Sequence, residues 1–413
     1  MSRLVLDEIV DPFGAGVLVI RAADGTVRDA RFDLTGLPRV DGLLAGRPIG
    51  DVPRMVERLC GICPAAHHLA GVRALEALAG VTDVPATARA VRSLLHLGSA
   101  LETHAPRLLA TDRDGALMLR RFGKAAMVAS GSPGHFPTTA VPGGVLRLVS
   151  AADLDTLLDQ ADQALAVAVR AAESQLASDA SQAVWPGADV ALVDASGRPD
   201  LLGDHLRAVS AAGSVVGAAA PQDWDAAVAE QFPGAMAPRP FLLALGPEAG
   251  RYRVGPTAQL RVGVLTTPVA AALQERWLAT TGGAAGARAI MTVHAVEAIA
   301  ALLDDPLLLG EELTTTVGPW RPDAAGVGWV DGPRGLLVHR YATGPDGRLA
   351  AAQILTPTAQ NEPWLAHLLT RSLAEEAGRG MEAAIREADP CLPCSSAPDG
   401  AMGLQVREID EGN

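Results

Sequence analysis

The sequence predicts an α+β protein that is mainly helical, with a bundle of long helices and small β-sheets at its periphery. Ala, Leu and Val dominate an apolar fraction of 49%, whereas aromatic residues make up only 3%. This composition favours helices that pack closely through small side chains. Several long stretches carry apolar residues at helical spacing, and shorter stretches have the pattern of strands. The 413 residues can bury a sizeable core, organised as one large domain or as two.

The amino-terminal part of the chain predicts two strands followed by a helix. Residues 17–20 and 27–32 predict strands around a turn at Asp24 and Gly25. A stretch rich in proline and glycine follows, and residues 89–109 then predict a helix whose leucines form one apolar face. This part of the chain therefore contributes to both the peripheral strands and the bundle.

The middle of the chain predicts two further helices, separated by a region with a weak pattern. Ser150 begins the first helix, because Asp153 stands at the spacing of a capping box and leucines then recur at helical spacing. Residues 187–255 are rich in proline and glycine and predict irregular structure. Residues 287–303 predict the second helix.

The last part of the chain predicts a hairpin and a long helix. Residues 336–341 and 349–355 predict two strands joined across a turn rich in glycine. A helical pattern then runs over residues 363–388 and leads to Asp389. Proline disfavours a helical conformation in the residue before it, so Pro390 predicts that this helix ends near Asp389.

Charge and hydropathy argue against several classes of function. The net charge is −13, and a nucleic-acid-binding surface would instead need a basic face. The sequence has no run of 18 uncharged apolar residues, so it predicts no membrane span. The amino terminus lacks the apolar stretch of a secretory signal. We therefore expect a cytoplasmic protein.

The four cysteines stand in two Cys-x-x-Cys pairs, Cys60 with Cys63 and Cys391 with Cys394. Disulfides are uncommon in a large chain without a secretory signal, so metal binding is the better interpretation. Four thiolates suit zinc, an iron–sulfur cluster or a centre containing nickel and iron. The pairs of a zinc ribbon usually lie about 15–20 residues apart, whereas about 330 residues separate these. Spacing alone leaves structural zinc and a redox metal open.

The residues around both pairs resemble the metal-binding signatures of [NiFe]-hydrogenase large subunits. Residues 58–67 read R-L-C-G-I-C-P-A-A-H, which is similar to the family's R-x-C-G-x-C-x-x-x-H. Residues 389–394 read D-P-C-L-P-C, which is similar to its D-P-C-x-x-C. The D-G-P-R-G segment at 331–335, followed by His339, resembles the family's E-A-P-R-G. The resemblance covers most of the chain and implies a single large-subunit domain spanning residues 1–413.

The resemblance implies how the cysteines bind the metals. Cys60 and Cys391 would be terminal nickel ligands, while Cys63 and Cys394 would bridge nickel to iron. The iron of this family carries CO and CN ligands installed by maturation proteins. Dihydrogen is split heterolytically, and the base that takes the proton is Cys391 or Arg334. Cys391 is favoured, because a guanidinium rarely gives up its proton.

Other residues are implied to surround the metals. Arg334 is expected to be a fixed cation over the open metal site, held by Asp389 through a charge-assisted hydrogen bond. Pro333 and His67 are the expected cofactor-binding residues. His67 resembles the histidine that hydrogen-bonds a bridging sulfur, although a satisfied core histidine is the alternative. His104 is better interpreted as a packed core residue.

The resemblance also implies partners. Electrons leave large subunits of this family through iron–sulfur clusters on a small subunit, and this chain has no cysteine to spare for a cluster. The expected partners are that iron–sulfur small subunit, diaphorase-type or other electron-transfer subunits, and the maturation proteins, with H2 as substrate. The segment after Cys394 is similar to that of the soluble, cofactor-linked hydrogenases.

Two departures from the family keep other functions open. Phe13 and Ala15 stand where the family has the glutamate and histidine of its E-G-H motif, and the glutamate is the usual proton exit. Ala397, followed by Pro398, stands where the family has the histidine at which its tail is cleaved. A divergent hydrogenase is the leading hypothesis. The alternatives are a non-catalytic paralogue, as a hydrogen sensor or redox-complex scaffold, and a structural four-cysteine zinc protein.

Overall fold

The computed structural model describes residues 16–34, 41–109, 111–178, 184–280, 282–376, 380–392, 395, 397 and 400–410. Its helices are α1 (Asp41–Leu44), α2 (Val52–Val56), α3 (Pro64–Ala79), α4 (Ala86–His104), α5 (Arg113–Ala129), α6 (Ala151–Ser178), α7 (Trp224–Ala227), α8 (Gly246–Ala249), α9 (Pro256–Val262), α10 (Pro268–Leu278), α11 (Ala284–Leu303), α12 (Pro357–Gln360), α13 (Glu362–Glu376) and α14 (Met381–Ala388). Its strands are β1 (Gly16–Arg21), β2 (Val27–Asp33), β3 (Ala140–Val141), β4 (Gly144–Val145), β5 (Ala188–Val193), β6 (His205–Val209), β7 (Val215–Ala219), β8 (Val228–Glu230), β9 (Pro240–Leu242), β10 (Tyr252–Arg253), β11 (Ala325–Gly332), β12 (Gly335–Thr343), β13 (Leu349–Leu355) and β14 (Gln405–Asp410).

Helices α4, α5, α6 and α11 pack together as the central bundle. Their buried faces consist mainly of Ala, Leu and Val side chains. Gly98 on α4 and Gly123 on α5 face each other so closely that a Cβ on either would lie 2.6 Å from the other's carbonyl oxygen. The two backbones are in contact there, so a side chain at either position would force the helices apart. The predicted bundle of closely packed helices is confirmed.

Helix α11 lies at the centre of this bundle. By length and composition alone it could cross a membrane, but 67% of its most apolar window is buried inside the protein. It packs against α4, α6 and α10. A helix that is apolar on all sides is expected in the core of a large protein, and α11 occupies that position.

Small sheets lie around the bundle, as predicted. Strands β11, β12 and β13 form an antiparallel sheet, and β11 packs on α3. A second sheet has the order β14-β1-β2, with β14 parallel to β1. A third has the order β10-β5-β6-β7 and occupies the region for which the sequence predicted irregular structure. Strand β5 is buried at every position, so it lacks the alternation that identifies a half-exposed strand.

The other predicted elements can be compared one by one. Both hairpins, β1–β2 and β12–β13, are present and antiparallel. The Ser150 hydroxyl donates to Asp153 at 2.7 Å and accepts from the Asp153 N–H at 3.1 Å, which confirms the capping box. The single helix predicted over 363–388 is wrong, because α13 and α14 are separate and Gly380 caps α14. Glycine is a poor helix former, which explains the interruption.

Candidate metal centre

The first cysteine pair lies in the loop between α2 and α3. Cys63 is the residue before α3, and Pro64 opens the helix at a position where proline needs no N–H partner. The Ile62 N–H turns inward and donates to Cys60 Sγ at 3.4 Å. The loop and the start of the helix therefore direct both sulfurs towards the same side.

Two side chains hold the carbonyl groups of this loop. The Thr103 hydroxyl on α4 donates to the Ile62 carbonyl at 3.2 Å. His135 Nε2 donates to the Gly61 carbonyl at 2.7 Å. The backbone between the two cysteines is thus fixed from two directions.

Cys391 follows the last helix. Helix α14 ends at Ala388, and Asp389 adopts a left-handed conformation with φ of 45°, which confirms the predicted helix end. Such a residue at a helix C-terminus reverses the direction of the chain. The Cys391 N–H then donates to the Thr358 hydroxyl at 2.8 Å. Cys391 is thereby returned towards the centre of the molecule.

Three sulfur atoms from the two ends of the chain converge. Cys60 Sγ lies 3.2 Å from Cys63 Sγ and 3.3 Å from Cys391 Sγ, and the remaining pair is 3.9 Å apart. A disulfide bond would be about 2.05 Å long, so these are three thiols that can share one metal. Cys394, the fourth predicted ligand, lies outside the described residues.

The pKa values of the three thiols differ because the sulfurs are so close. Hydrogen bonds from Cys391 and Cys63 lower the pKa of Cys60. The contact with Cys60, together with burial, raises the pKa of Cys391 to about 12, and the pKa of Cys63 is raised as well. The sulfurs therefore share one negative charge readily and resist a second. A soft divalent metal relieves this repulsion, so the cluster fits a metal that binds thiolates.

Arg334 lies beside the sulfurs, in the turn between β11 and β12. Its Nε is 3.4 Å from Asp389 Oδ1, so the two residues form the expected ion pair, but this contact lacks the geometry of the predicted hydrogen bond. Burial lowers the pKa of this guanidinium, but Asp389 and the three cysteines outweigh burial and raise it. Its Nε and its Nη1 both lack a hydrogen-bond partner among the described residues. Arg334 is therefore a permanently charged group with two donor nitrogens that are unpartnered in the described part of the chain.

Asp389 is surrounded by arginines. Arg107 Nη2 donates to its Oδ1, and Arg288 Nη1 lies 3.9 Å from its Oδ2. Burial raises the pKa of this carboxyl, but Arg334, Arg288 and Arg107 together leave it below its usual value. Sequence reasoning missed Arg107 and Arg288, since neither stands in a motif. Asp389 is thus an ionised carboxylate shared among three guanidinium groups.

Two histidines of α4 hold the turn that carries Arg334. His104 Nε2 donates to the Pro333 carbonyl at 2.9 Å, and His96 Nε2 donates to the Asp331 carbonyl at 2.9 Å. Burial lowers the pKa of both histidines to about 4. His104 is buried as expected, but it also has this positioning contact. His96 precedes His104 by eight residues, a spacing that places both on one side of α4. This spacing was the sequence signal that could have identified His96.

His67 lies in the first turn of α3. Its ring lowers the pKa of Cys60, whereas the resemblance implied a bond to a bridging sulfur, that is, to Cys63 or Cys394. Its Nδ1 is 3.0 Å from His339 Nε2, and the Tyr341 hydroxyl is 2.6 Å from His339 Nδ1. Tyr341 was not predicted, although it follows His339 at the two-residue spacing of one strand face.

A cavity of about 260 Å³ opens onto the cluster. Cys60, Cys63 and Cys391 line it together with His67, Pro333 and Arg334. The structure therefore brings together the predicted metal-binding, catalytic and cofactor-binding residues that it describes, with Asp389 behind Arg334.

The fold and this site can be compared with solved structures. The crystal structure of an NAD+-reducing [NiFe]-hydrogenase in the H2-reduced state matches with a TM-score of 0.81 and 31% identity, covering 91% of this chain and 94% of that one. This chain belongs to the [NiFe]-hydrogenase large-subunit family. The family profile described as nickel-dependent hydrogenase matches residues 40–106, which contain the first cysteine pair.

Curated relatives support the same family. One subunit of the F420-non-reducing hydrogenase vhu from Methanocaldococcus jannaschii is 29% identical, over 88% of this chain and 96% of the relative. The beta subunit of the NAD-reducing hydrogenase HoxS from Cupriavidus necator is also 29% identical, over 99% and 98%. The Ni-Fe-Se hydrogenase from D. vulgaris Hildenborough shares the fold, with a TM-score of 0.66 at 20% identity, 91% of this chain and 95% of that chain being covered.

The first departure from the family lies outside the described residues, and the second lies partly outside them. Phe13 and Ala15 are not described. At the other departure, the Ala397 carbonyl accepts a hydrogen bond from Arg386 at 3.0 Å. The N–H groups of Gly400 and Met402 then donate to Glu382 at 2.7 and 3.1 Å, and β14 follows. The segment after Ala397 is therefore docked, and it ends in the strand β14 at Gln405–Asp410.

Proposed function

We propose that this large subunit binds a nickel–iron group, cleaves H2 heterolytically and passes the electrons to an iron–sulfur small subunit. One observation carries the proposal. Three cysteine sulfurs from opposite ends of the chain lie within 3.9 Å of one another, beside the buried cation of Arg334. Membership of the hydrogenase family supports the same conclusion.

Four cysteines would hold the group: Cys60, Cys63, Cys391 and, from the sequence, Cys394. Convergent buried thiolates suit a soft, thiophilic metal centre. When bound, the nickel–iron group, with CO and CN on its iron, supplies the redox-active Lewis acid at which H2 is cleaved. A structural zinc site is complete with four ligands and has no use for an adjacent cation. The position of Arg334 therefore favours a reactive site over structural zinc.

The residues of this chain have separate roles in the proposal. Cys391 Sγ takes the proton that leaves H2. Arg334 keeps its own proton and acts as a fixed cation, because Asp389 and the sulfurs raise its pKa. Asp389 holds the guanidinium in place. Pro333 and His67 line the same cavity and are the proposed contacts with the bound group.

Electron transfer requires a partner. All four cysteines of the chain belong to the two metal-binding pairs, so an iron–sulfur cluster must lie on another subunit. The relatives from M. jannaschii and C. necator are themselves named as single subunits of larger hydrogenases. We propose an iron–sulfur small subunit, with diaphorase-type or other electron-transfer subunits beyond it, in the cytoplasm. Maturation proteins would install the nickel and the iron with its CO and CN ligands.

Metal analysis tests the proposal. Purified from a host with the matching maturation system, the protein should contain nickel and iron at about one atom each, and should show infrared bands of metal-bound CO and CN. Cys391→Ser should abolish nickel retention, because a terminal ligand is lost. Zinc alone, with no such bands, would contradict the proposal. Hydrogen-dependent dye reduction then distinguishes an enzyme from a non-catalytic paralogue.

A further inference from the structure

Three buried side chains form a hydrogen-bonded row that starts at the cysteine cluster. His67 Nδ1 lies 3.0 Å from His339 Nε2, and His339 Nδ1 lies 2.6 Å from the Tyr341 hydroxyl. His67 is 5% exposed, while His339 and Tyr341 are fully buried. The row crosses from α3 to β12, and its inner end is enclosed by the core.

Tyr341 fixes the direction of these hydrogen bonds. Its hydroxyl contacts His339 Nδ1 and has no other hydrogen-bond partner among the described residues. Burial raises the pKa of the phenol and lowers the pKa of His339, so both groups are neutral. If the hydroxyl did not donate to His339, its proton would be left buried without an acceptor, which is costly. The phenol is therefore the donor and His339 Nδ1 the acceptor.

The remaining bonds follow from the chemistry of a neutral imidazole. A neutral imidazole has one N–H donor and one bare acceptor nitrogen. His339 accepts at Nδ1, so its proton is on Nε2 and is donated to His67 Nδ1. Because His67 Nδ1 accepts this bond, the ring proton of His67 is on Nε2. That nitrogen is left for the cavity, which His67 lines together with Cys60 and Cys63.

We propose that Tyr341 and His339 are positioning residues that fix the tautomer of His67, so that its Nε2–H donates to the cysteine sulfurs. The inference deepens the proposed function and rests on it, since those sulfurs are the proposed metal ligands. An N–H donor stabilises a thiolate. A bare Nε2 would instead offer a lone pair to the metal, because neutral imidazole is itself a common ligand. The row therefore makes His67 a hydrogen-bond donor to the sulfurs and prevents it from becoming a metal ligand.

Gly71 supports this arrangement from the next turn of α3. A Cβ at Gly71 would lie 3.3 Å from the Tyr341 hydroxyl and 3.6 Å from His339 Nδ1. It would also lie 2.9 Å from Val56 Cγ2. His67 and Gly71 therefore lie on the same face of α3. The absence of a side chain at Gly71 leaves the space that Tyr341 and His339 occupy.

The two tyrosines of the chain provide a matched pair of variants. Tyr252, like Tyr341, is fully buried, and its hydroxyl donates one hydrogen bond, to Gln360 Oε1 at 3.0 Å. Nitrogen-15 NMR of the histidine rings in the metal-free full chain should show His67 and His339 protonated at Nε2. Tyr252→Phe should leave both tautomers unchanged, whereas Tyr341→Phe should convert them into mixtures. A wild-type His67 protonated at Nδ1, or tautomers unchanged in Tyr341→Phe, would overturn the proposal.

Substitutions of His339 give an independent test. Glutamine can accept from Tyr341 and donate to His67, so His339→Gln should retain the Nε2–H form of His67. His339→Leu removes both functions and should lose it. If the leucine variant does not fold, failure of the glutamine variant to retain the tautomer still contradicts the inference.

The same variants can be measured in the metal-loaded protein. Tyr341→Phe should shift the CO and CN infrared bands relative to wild type, while Tyr252→Phe should not, because only the former changes the hydrogen bond to the sulfurs. Identical bands in the two variants would contradict a role at the metal. If the metal is zinc, the proposed function fails, yet the NMR result still decides the tautomer.

Discussion

The two cysteine segments meet at one cavity, but different interactions hold them there. The first segment, residues 60–63, is held by hydrogen bonds from the neutral Thr103 hydroxyl and from His135, and by the start of α3. The second segment begins at Asp389, and the interactions of that residue are with three arginine side chains. The first side of the site is fixed by dipolar contacts, whereas the second combines one such contact, from the Cys391 N–H to Thr358, with a cluster of charges.

The charges on the second side do not balance by themselves. Arg107, Arg288 and Arg334 surround the single carboxylate of Asp389, which leaves two surplus positive charges, three minus one, among these described residues. Thiolates that bind a metal supply negative charge next to them. The backbone of the first segment is therefore held by contacts that need no metal, whereas the second segment becomes electrostatically complete only when the sulfurs are ionised. Metal binding should order the second segment more than the first.

The largest effect is expected from Asp389→Asn. The substitution leaves three guanidinium groups around a neutral side chain, and removal of one partner from a buried ionic cluster costs about 3–5 kcal/mol. Asparagine tolerates the left-handed conformation, so the variant tests the charge and not the backbone. Urea unfolding measures the change. Asp204→Asn is the control, because its carboxylate pairs with Arg73 but is 82% exposed and should contribute less than about 1 kcal/mol. Equal losses would contradict the comparison.

Arg334→Lys should have the next largest effect, on activity and not on metal content. A lysine ammonium lacks the planar, fixed geometry of the guanidinium. Hydrogen oxidation should fall by about 10²-fold, the scale of losing one oriented electrostatic group, while nickel is retained. Dye reduction and elemental analysis measure the two quantities. Arg340→Lys, on the strand that follows the Arg334 turn and paired with the exposed Asp225, should change neither. Full activity in Arg334→Lys would remove this residue from the mechanism.

Acid should weaken the positioning of the Arg334 turn. Burial lowers the pKa of His104 to about 4, so below the ordinary value of 6.5 the unfolded chain binds the proton more readily than the folded one. Stability is complete above pH 6.5 and is lost as the pH falls, by about 1.4 kcal/mol per pH unit for each such histidine. Between pH 7 and 5, His104→Gln should therefore lose about 2 kcal/mol less than wild type in urea unfolding. The exposed His205 gives the control variant His205→Gln, which should behave as wild type.

The smallest effect concerns the tail beyond the second segment, where we expect nothing to be removed. The family resemblance implies cleavage after a histidine at the position of Ala397, and the proline that follows hinders most proteases. Glu382 and the pairing of β14 with β1 hold the tail in place. Intact mass of the nickel-loaded protein should include residues 398–413. A mass that ends near Ala397 would show that processing persists without the histidine.

Prediction from the sequence succeeded where the signal was local. The spacing of the cysteines and the residues that flank each pair indicated the metal site. Turn residues indicated both hairpins, and apolar periodicity indicated the long helices. The role of Asp389 was accessible because it stands two residues before Cys391 in a motif.

Prediction failed where the partners are distant in sequence. Arg107 is 282 residues from Asp389, and His67 is 272 residues from His339, so no local pattern connects them. Strand β5 was missed for a different reason, since burial of both faces removes its alternation. These features depend on tertiary packing, which periodicity does not encode.

The separation of the two cysteine segments also sets the order of events during synthesis. Cys391 is 331 residues beyond Cys60, and ribosomes add about 5–20 residues per second, so the second segment follows the first by roughly 20–70 seconds. During that interval the nascent chain exposes one pair of thiols with no second pair to meet. The proposed nickel–iron group could therefore be enclosed only after translation has passed the last cysteine, and the early pair would have to be kept from binding other metals until then.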